Sequence, residues 1–263
     1  MSSRLKKRYI IACIVLAGLP LTLYAFFVEP YWIEDTHYRI QAPVTAPLKI
    51  AHLSDLHTSG LNRREKELLE ILDREKPDLI VITGDSVSTT NGYEGFRVVL
   101  RELRAPLGVW VIRGNHENWH PIPDERDFYS SAGVNFLVNE SKKPREDFWL
   151  VGLDDAFGGS PDLDGALADV PEDEYKIALF HSPGFFNQAA GRCDLALAGH
   201  THGGQVQLPI IGAVWLPPHS GNFVEGWFER NGSRLYVSRG IGTSLLNVRF
   251  LCRPEVAFIT LEK

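Results

Sequence analysis

Residues 195–204 read Leu195-Ala196-Leu197-Ala198-Gly199-His200-Thr201-His202-Gly203-Gly204. A short apolar run closed by a turn signal is the pattern of a buried strand. Two imidazoles at i, i+2 beside permissive glycines are poor core material and good metal donors. The same phrase recurs four more times. Residues 50–53 run into Asp55 and His57, 79–83 into Gly84-Asp85, 109–112 into Gly114-Asn115-His116-Glu117, and 177–180 into His181. The C-terminal ends of neighbouring parallel strands lie side by side, so ligands placed there converge. Two carboxylates, four imidazoles and one amide oxygen are enough for two first-row metal sites with open positions left over.

Singly, these pieces say little. Asp-x-His and Gly-Asp are common turns, and a lone His181 suits a hydrogen-bonded, buried histidine. Their shared placement after apolar runs is what argues for a site. Outside the blocks, His52 reads as packed in its strand and Asp154-Asp155 as a turn. Arg239, between Ser238 and Gly240, could clamp a phosphate or serve as an ion-pair partner. Trp119, His120 and His219 are candidates for the cleft wall, and Glu117 for a carboxylate that orients a ligand.

Working outward, the segment from Leu48 alternates strand and helix. Asn62 reads as an N-cap, and Leu68, Leu69, Ile71 and Leu72 form a helical stripe that ends before Pro77. Further helices are expected over 95–104, 124–132 and 182–190. After His202 come short runs at 206–208, 226–229, 234–238 and 256–261, separated by Gly, Asn and Pro, which read as antiparallel strands. An α/β first half followed by a β-rich second half predicts an α/β (α+β) fold: a four-layer αββα sandwich of two mixed sheets flanked by helices. The expected division is an N-terminal membrane anchor over 1–28, a linker or edge strand over 29–47, and one catalytic domain over 48–263.

The anchor rests on charge and length. Arg4, Lys6, Lys7 and Arg8 precede an uncharged run of 20 residues, 9–28, and all 33 acidic residues follow it. At about 1.5 Å per residue that run spans roughly 30 Å, a bilayer's hydrocarbon core. Bulky Leu23 at −3 of its best cleavage position disfavours a cleaved signal peptide. The basic flank predicts a single-pass protein of the inner (cytoplasmic) membrane, with its catalytic domain outside the cytoplasm. The remaining 23 basic residues against 33 acidic ones make nucleic acid a poor partner. Cys193 and Cys252 read as two buried free thiols, and Cys13 falls in the uncharged run.

With these blocks in this order, the chain resembles the calcineurin-like metallophosphoesterase superfamily. The matching blocks are Asp55-Leu56-His57, Gly84-Asp85, Gly114-Asn115-His116-Glu117, His181 and Gly199-His200-Thr201-His202. Gly203-Gly204-Gln205, residues 238–243 and Arg253-Pro254-Glu255 resemble its membrane-anchored bacterial branch, which includes YkuE- and YaeI-like phosphoesterases and the UDP-2,3-diacylglucosamine pyrophosphatases. One departure is Ser88, where the family often has an acid or Asn. The resemblance implies two divalent ions (Mn, Fe or Zn). It implies Asp55, His57 and His202 on one, Asn115, His181 and His200 on the other, and Asp85 bridging both. It further implies metal-bridged hydroxide attacking phosphorus, with catalytic His116 off the metals and facing the leaving group. The expected activity is hydrolysis of phosphate-ester or pyrophosphate bonds, the substrate lipid-linked in one reading. The alternatives are a pyrophosphatase acting on a lipid A precursor and, in another class, an inactive scaffold.

Overall fold

The computed structural model describes residues 18–263. Residues 18–27 are helical (α1). They are followed by β1 (Glu34–Gln41), β2 (Leu48–Leu53), α2 (Arg63–Glu75), β3 (Leu79–Thr83), α3 (Tyr93–Leu100), β4 (Val109–Ile112), α4 (Asn115–Trp119), α5 (Glu125–Ser131) and β5 (Asn135–Phe136). The second half contains β6 (Glu140–Arg145), β7 (Phe148–Gly152), α6 (Leu163–Leu167), β8 (Lys176–Leu179), α7 (Phe186–Ala189) and β9 (Leu195–Ala198). It ends with β10 (Gln207–Leu208), β11 (Gly212–Ala213), β12 (Gly226–Arg230), β13 (Ser233–Val237) and β14 (Glu255–Glu262).

Two six-stranded sheets are formed, ordered β1-β14-β2-β3-β4-β5 and β12-β13-β9-β8-β7-β6. Both are mixed. In the first, β2 to β5 are parallel and β14 runs antiparallel to β2. In the second, β7, β8, β9 and β13 are parallel, with antiparallel edges β6 and β12. The strand period of two divides each strand's side chains between layers. Ile50, Leu79, Val81 and Ile112 face Leu150, Ile177, Leu179 and Leu197 in the core between the sheets. Ala51, Leu53, Ile80 and Val111 face outward onto α2, α3 and α5. Val151, Ala178 and Ala196 lie beneath α6 and α7 on the other side. This is the expected arrangement of two mixed sheets flanked by helices.

The helix α2 shows how local sequence fixes these layers. The Glu65 carboxylate accepts the Asn62 backbone N–H at 3.1 Å, closing the N-terminus, and Lys76 ends the helix in a left-handed turn. Leu68, Ile71 and Leu72 are buried against the sheet, each contributing about 1.5–3 kcal/mol by its burial.

Several expectations change in detail. Of the two readings of 29–47, residues 34–41 take the edge strand, pairing in parallel with β14. The helix expected over 182–190 is a 3-10 turn followed by the four-residue α7. The last strands are only partly antiparallel, since β13 joins β9 in parallel. The expected transmembrane helix falls partly outside the described residues, as do the basic cluster and Cys13. Among the described residues no helix is long and apolar enough to cross a membrane. Cys193 and Cys252 are buried free thiols.

Candidate metal centre

The ends of β2, β3, β4, β8 and β9 bring the histidines and carboxylates of the five blocks together. Backbone contacts lock the loops to one another: Asp55 N–H donates to the Gly84 carbonyl, His57 N–H to Asp85 and Gly199 N–H to His181, at 3.0, 3.0 and 3.1 Å. Side chains larger than glycine would break this mesh. A Cβ on Gly84 would lie 2.4 Å from the Gly114 nitrogen, and one on Gly199 would lie 1.8 Å from Ser54 Oγ. Asp55, His57, Asp85, His200 and His202 all have left-handed backbones, with φ between +43° and +73°. Such conformations cost of order 1–3 kcal/mol each outside glycine and persist where the surroundings enforce them.

Two donor groups result, Asp55–His57–His202 and Asp85–His181–His200, and a third, His57–Asp85–His116, overlaps both; in each the ligand atoms lie within 4.8 Å of one another. His202 Nε2 lies 3.3 Å from Asp55 Oδ1 and 3.3 Å from His57 Nε2. In the other group His181 Nε2 lies 3.3 Å from Asp85 Oδ2 and 3.2 Å from His200 Nδ1. Asp85 Oδ2 is also 3.7 Å from His57 Nε2, so this one oxygen faces both groups. Imidazole nitrogens and carboxylate oxygens held this close together suit a shared cation. Asn115 Oδ1 is buried with no hydrogen-bond partner, as a neutral oxygen ligand would be.

The opposite nitrogen of three rings is held from outside, which fixes the orientation of each ring. His181 Nδ1 donates to the Thr83 carbonyl at 2.7 Å and His200 Nε2 to the Pro218 carbonyl at 2.7 Å. His57 Nδ1 meets Ser88 Oγ at 3.1 Å. The Ser88 carbonyl also receives His116 Nδ1 at 3.1 Å. The serine that departs from the family pattern therefore orients two site histidines.

Burial holds His57 down to about 3 and His200 to about 4, keeping these rings neutral and able to ligate. Burial also lifts Asp55 to about 6. At Asp85 burial acts upward, but His181, His57 and His116 outweigh it and hold the carboxyl below its usual range. His181 is displaced upward although burial opposes this, because Asp85 and Asp55 face it. Two buried carboxylates thus draw positive charge onto the nearest ring, the response expected of a cavity shaped for cations.

His116 Nε2 stands 3.9 Å from Asp85 Oδ2, and the ring lies 5.2 Å from that of Trp119, tilted by 53°. Glu117 is buried and accepts three backbone N–H groups, from Asp85, Ser86 and Gly114. It braces the loops that carry Asp85 and Asn115. His52 is fully buried on Thr83 Oγ1, as expected of a packed ring. Asp154 and Asp155 organise the turn after β7. Of the two readings of Arg239, the ion-pair partner is the one seen: its guanidinium meets Glu34 at 2.8 Å and Glu255 at 3.4 Å.

Phe157 was invisible in the sequence as a site residue. It lies 5.1 Å from Trp119, 5.0 Å from His219 and 5.9 Å from His200, completing an aromatic wall beside the metal groups. Only its position after the Asp154-Asp155 turn could have drawn attention to it.

The family description "calcineurin-like phosphoesterase" matches residues 48–204. The uncharacterized metallophosphoesterase YkuE of Bacillus subtilis is 32% identical over 254 residues, covering 91% of this chain and 89% of its own. Phosphodiesterase YaeI of Escherichia coli is 31% identical over 254 residues, covering 90% and 92%. Among solved structures, TT1561 of Thermus thermophilus aligns with a TM-score of 0.50 at 13% identity, over 74% of this chain and 91% of that one, and shows the shared fold. Two ligand groups meeting at one carboxylate, on the parallel strand ends of a doubly sheeted sandwich, agree with this match: the chain belongs to the calcineurin-like phosphoesterase family and is a metal-dependent phosphoesterase that uses two divalent ions.

Proposed function

We propose that Asp55, His57 and His202 hold one ion, Asn115, His181 and His200 hold the other, and Asp85 bridges them, in an enzyme that cleaves phosphodiester or pyrophosphate bonds at a membrane. The observation that carries this division is the position of Asp85 Oδ2, 3.3 Å from His181 in one group and 3.7 Å from His57 in the other. When bound, the two cations supply charge for the phosphoryl oxygens and lower the pKa of water toward neutrality. The chain's own residues supply the rest. His116, its Nδ1 fixed on Ser88, directs Nε2 toward the cleft, where it delivers a proton to the leaving oxygen. Trp119, Phe157 and His219 form a wall against which a leaving group stacks. The presence of all seven ligand residues argues against an inactive scaffold.

The name of the YaeI relative favours a diester, and the uncharged run at 9–28 with its basic flank favours an anchored enzyme facing away from the cytoplasm. A lipid A precursor pyrophosphatase is the second reading. It requires the cleft to face the cytoplasmic leaflet, where that substrate is made.

Metal-free protein resupplied with Mn, Fe, Zn or Mg tests the assignment, with bis-p-nitrophenyl phosphate, p-nitrophenyl phosphate and a lipid pyrophosphate as substrates. Two ions per chain and fastest turnover of the diester are expected. Turnover of none of the three with any metal would overturn the reading. A phosphatase-type reporter fused after Lys263 should be active outside the cytoplasm; activity of an internal reporter instead would move the pyrophosphatase reading first.

A further inference from the structure

Residues 205–224 contain no Asp, Glu, Lys or Arg across 20 positions, with His219 as their one titratable side chain, in a chain that is 23% charged. Residues 240–248 contain none either. In the fold these two stretches are neighbours. Gln205 binds the Ser244 and Leu246 carbonyls through its side-chain amide, and Val206 and Phe250 form a β-bridge. Their tips are apolar and in water: Ile211 is 73% exposed and Leu245 92%, with Ile210, Val214, Trp215 and Leu246 also exposed. Exposed apolar groups in such density are an interaction surface rather than ordinary surface scatter.

Backbone geometry points the same way. Ile210 and Leu245 have φ of +72° and +61°, a region that bulky side chains rarely occupy. Neither gains buried contact in return, so the strain serves something outside the folded body.

The first loop is fastened to the metal centre at both ends, and the second to the end of α1. The first begins directly after His202 and packs Ala213 over Gly204, and its far end offers the Pro218 carbonyl to His200. The second is fastened to the end of α1, where Arg249 N–H donates to the Ala25 carbonyl and Asn247 to Tyr31. Phe27, Val28 and Trp32 are exposed there, and α1 belongs to the uncharged run 9–28. Arg63 and Arg253 stack on Tyr31 and Trp32 at this border. Aromatic rings with basic groups beside an apolar face are the composition of a membrane–water boundary.

We propose that the loops over 205–217 and 243–251, with the end of α1, dock on a phospholipid bilayer and hold the metal cleft against its surface. The enzyme's substrates are then phosphate esters displayed by the membrane. This rests on the phosphoesterase reading for its substrate class, while the docking itself does not.

The full chain, reconstituted in vesicles of phosphatidylethanolamine and phosphatidylglycerol, provides the test. Single cysteines at Ile211→Cys, Leu245→Cys and Glu146→Cys, in a Cys13→Ser background, carry an environment-sensitive fluorophore. Glu146 is exposed on the β6–β7 turn, at the opposite end of the parallel strands. Labels at 211 and 245 should be quenched by spin-labelled lipid and shielded from aqueous iodide, and the label at 146 should show the reverse. Equal iodide access at all three positions would overturn docking, as would shielding at 211 that follows protein concentration without lipid. Ile211→Asp with Leu245→Asp should keep bis-p-nitrophenyl phosphate turnover and reduce turnover of vesicle-borne hexadecyl p-nitrophenyl phosphate about tenfold. Equal turnover of both esters by wild type and variant would sink the substrate claim. Failure of the wild type on the soluble diester, the monoester and the lipid pyrophosphate alike would sink the phosphoesterase reading while leaving the fluorescence result to stand.

Discussion

Two clusters in this molecule have nearly the same residue types, and only one has the makings of a metal centre. Asp35, His37 and Glu75 bring their ligand atoms as close together as the groups at the strand ends do. There, however, Arg74 binds Asp35 at 2.6 Å, Lys49 binds Glu75 at 2.8 Å, and the side chains of Asp35 and His37 are well exposed. Lys49 accordingly holds the Glu75 carboxyl below its usual range. At the strand ends Asp55 and Asp85 are buried, and among the described residues their charge partners are histidines. A surface cluster supplies its own cations and water. A buried one with no Lys or Arg paired to it among the described residues, and with His181 as its one ring shifted upward, leaves most of the positive charge to be brought in. Burial and an absence of internal cations, more than composition, separate a metal centre from an acidic corner.

The largest effect expected from this difference is at Asp85. Asp85→Ala removes the carboxylate shared by both groups, so bound metal should fall toward zero and activity by about 10³-fold or more. Glu75→Ala should leave metal content unchanged and destabilise by less than about 1 kcal/mol, as for a solvent-screened pair. Metal analysis of the two variants breaks the comparison if Glu75→Ala loses an ion or Asp85→Ala keeps both. His116→Ala comes next. Its ring comes within reach of His57 and Asp85, but as the proton donor and not a ligand it should leave metal near two ions per chain while kcat drops by about 10²–10⁴. A variant that lost both ions would place His116 among the ligands.

Most of this site was legible from sequence because its ligands follow strands, and a strand of Val, Ile, Leu and Ala announces itself. The strands over 79–83, 109–112 and 195–198 have the expected bounds, and each is followed by its ligand within a few residues. The misses have physical causes as well. β6 reads Glu-Ser-Lys-Lys-Pro-Arg, an antiparallel edge whose residues are half-exposed and carry no apolar pattern. Phe157 is an aromatic in a loop, and no local signal tells a loop aromatic that lines a cleft from one that packs. Arg239 sits among glycines as a phosphate clamp would. Its carboxylate partners Glu34 and Glu255 are brought in by two strands, β1 and β14, from opposite ends of the chain.

Finer tests concern the residues that hold the ligands. Glu117 receives backbone N–H groups from both the Asp85 and the Asn115 loops. In Glu117→Gln one oxygen becomes an NH2 group facing donors, which leaves buried N–H groups unpaired. The expected loss is about 1–3 kcal/mol of stability by denaturant unfolding, together with weaker metal binding. Unchanged stability would mean that these loops are braced by the strands alone.

The smallest effect should come from Ser88, and it discriminates most sharply between holding a metal ligand and holding the proton donor. Ser88→Ala deletes the hydroxyl on His57 Nδ1 but keeps the carbonyl on His116 Nδ1. Losing an outer partner of a ligating imidazole typically weakens metal binding about 10–100-fold, so the ion held by His57 should titrate out first under a chelator. At saturating metal the variant should recover nearly full kcat, because His116 keeps its orientation from the backbone. A defect in kcat that persists at saturating metal would show that the Ser88 hydroxyl acts on the proton transfer itself. The distinction drawn here between ligand-bearing and substrate-facing histidines would then fail at the residue the two share.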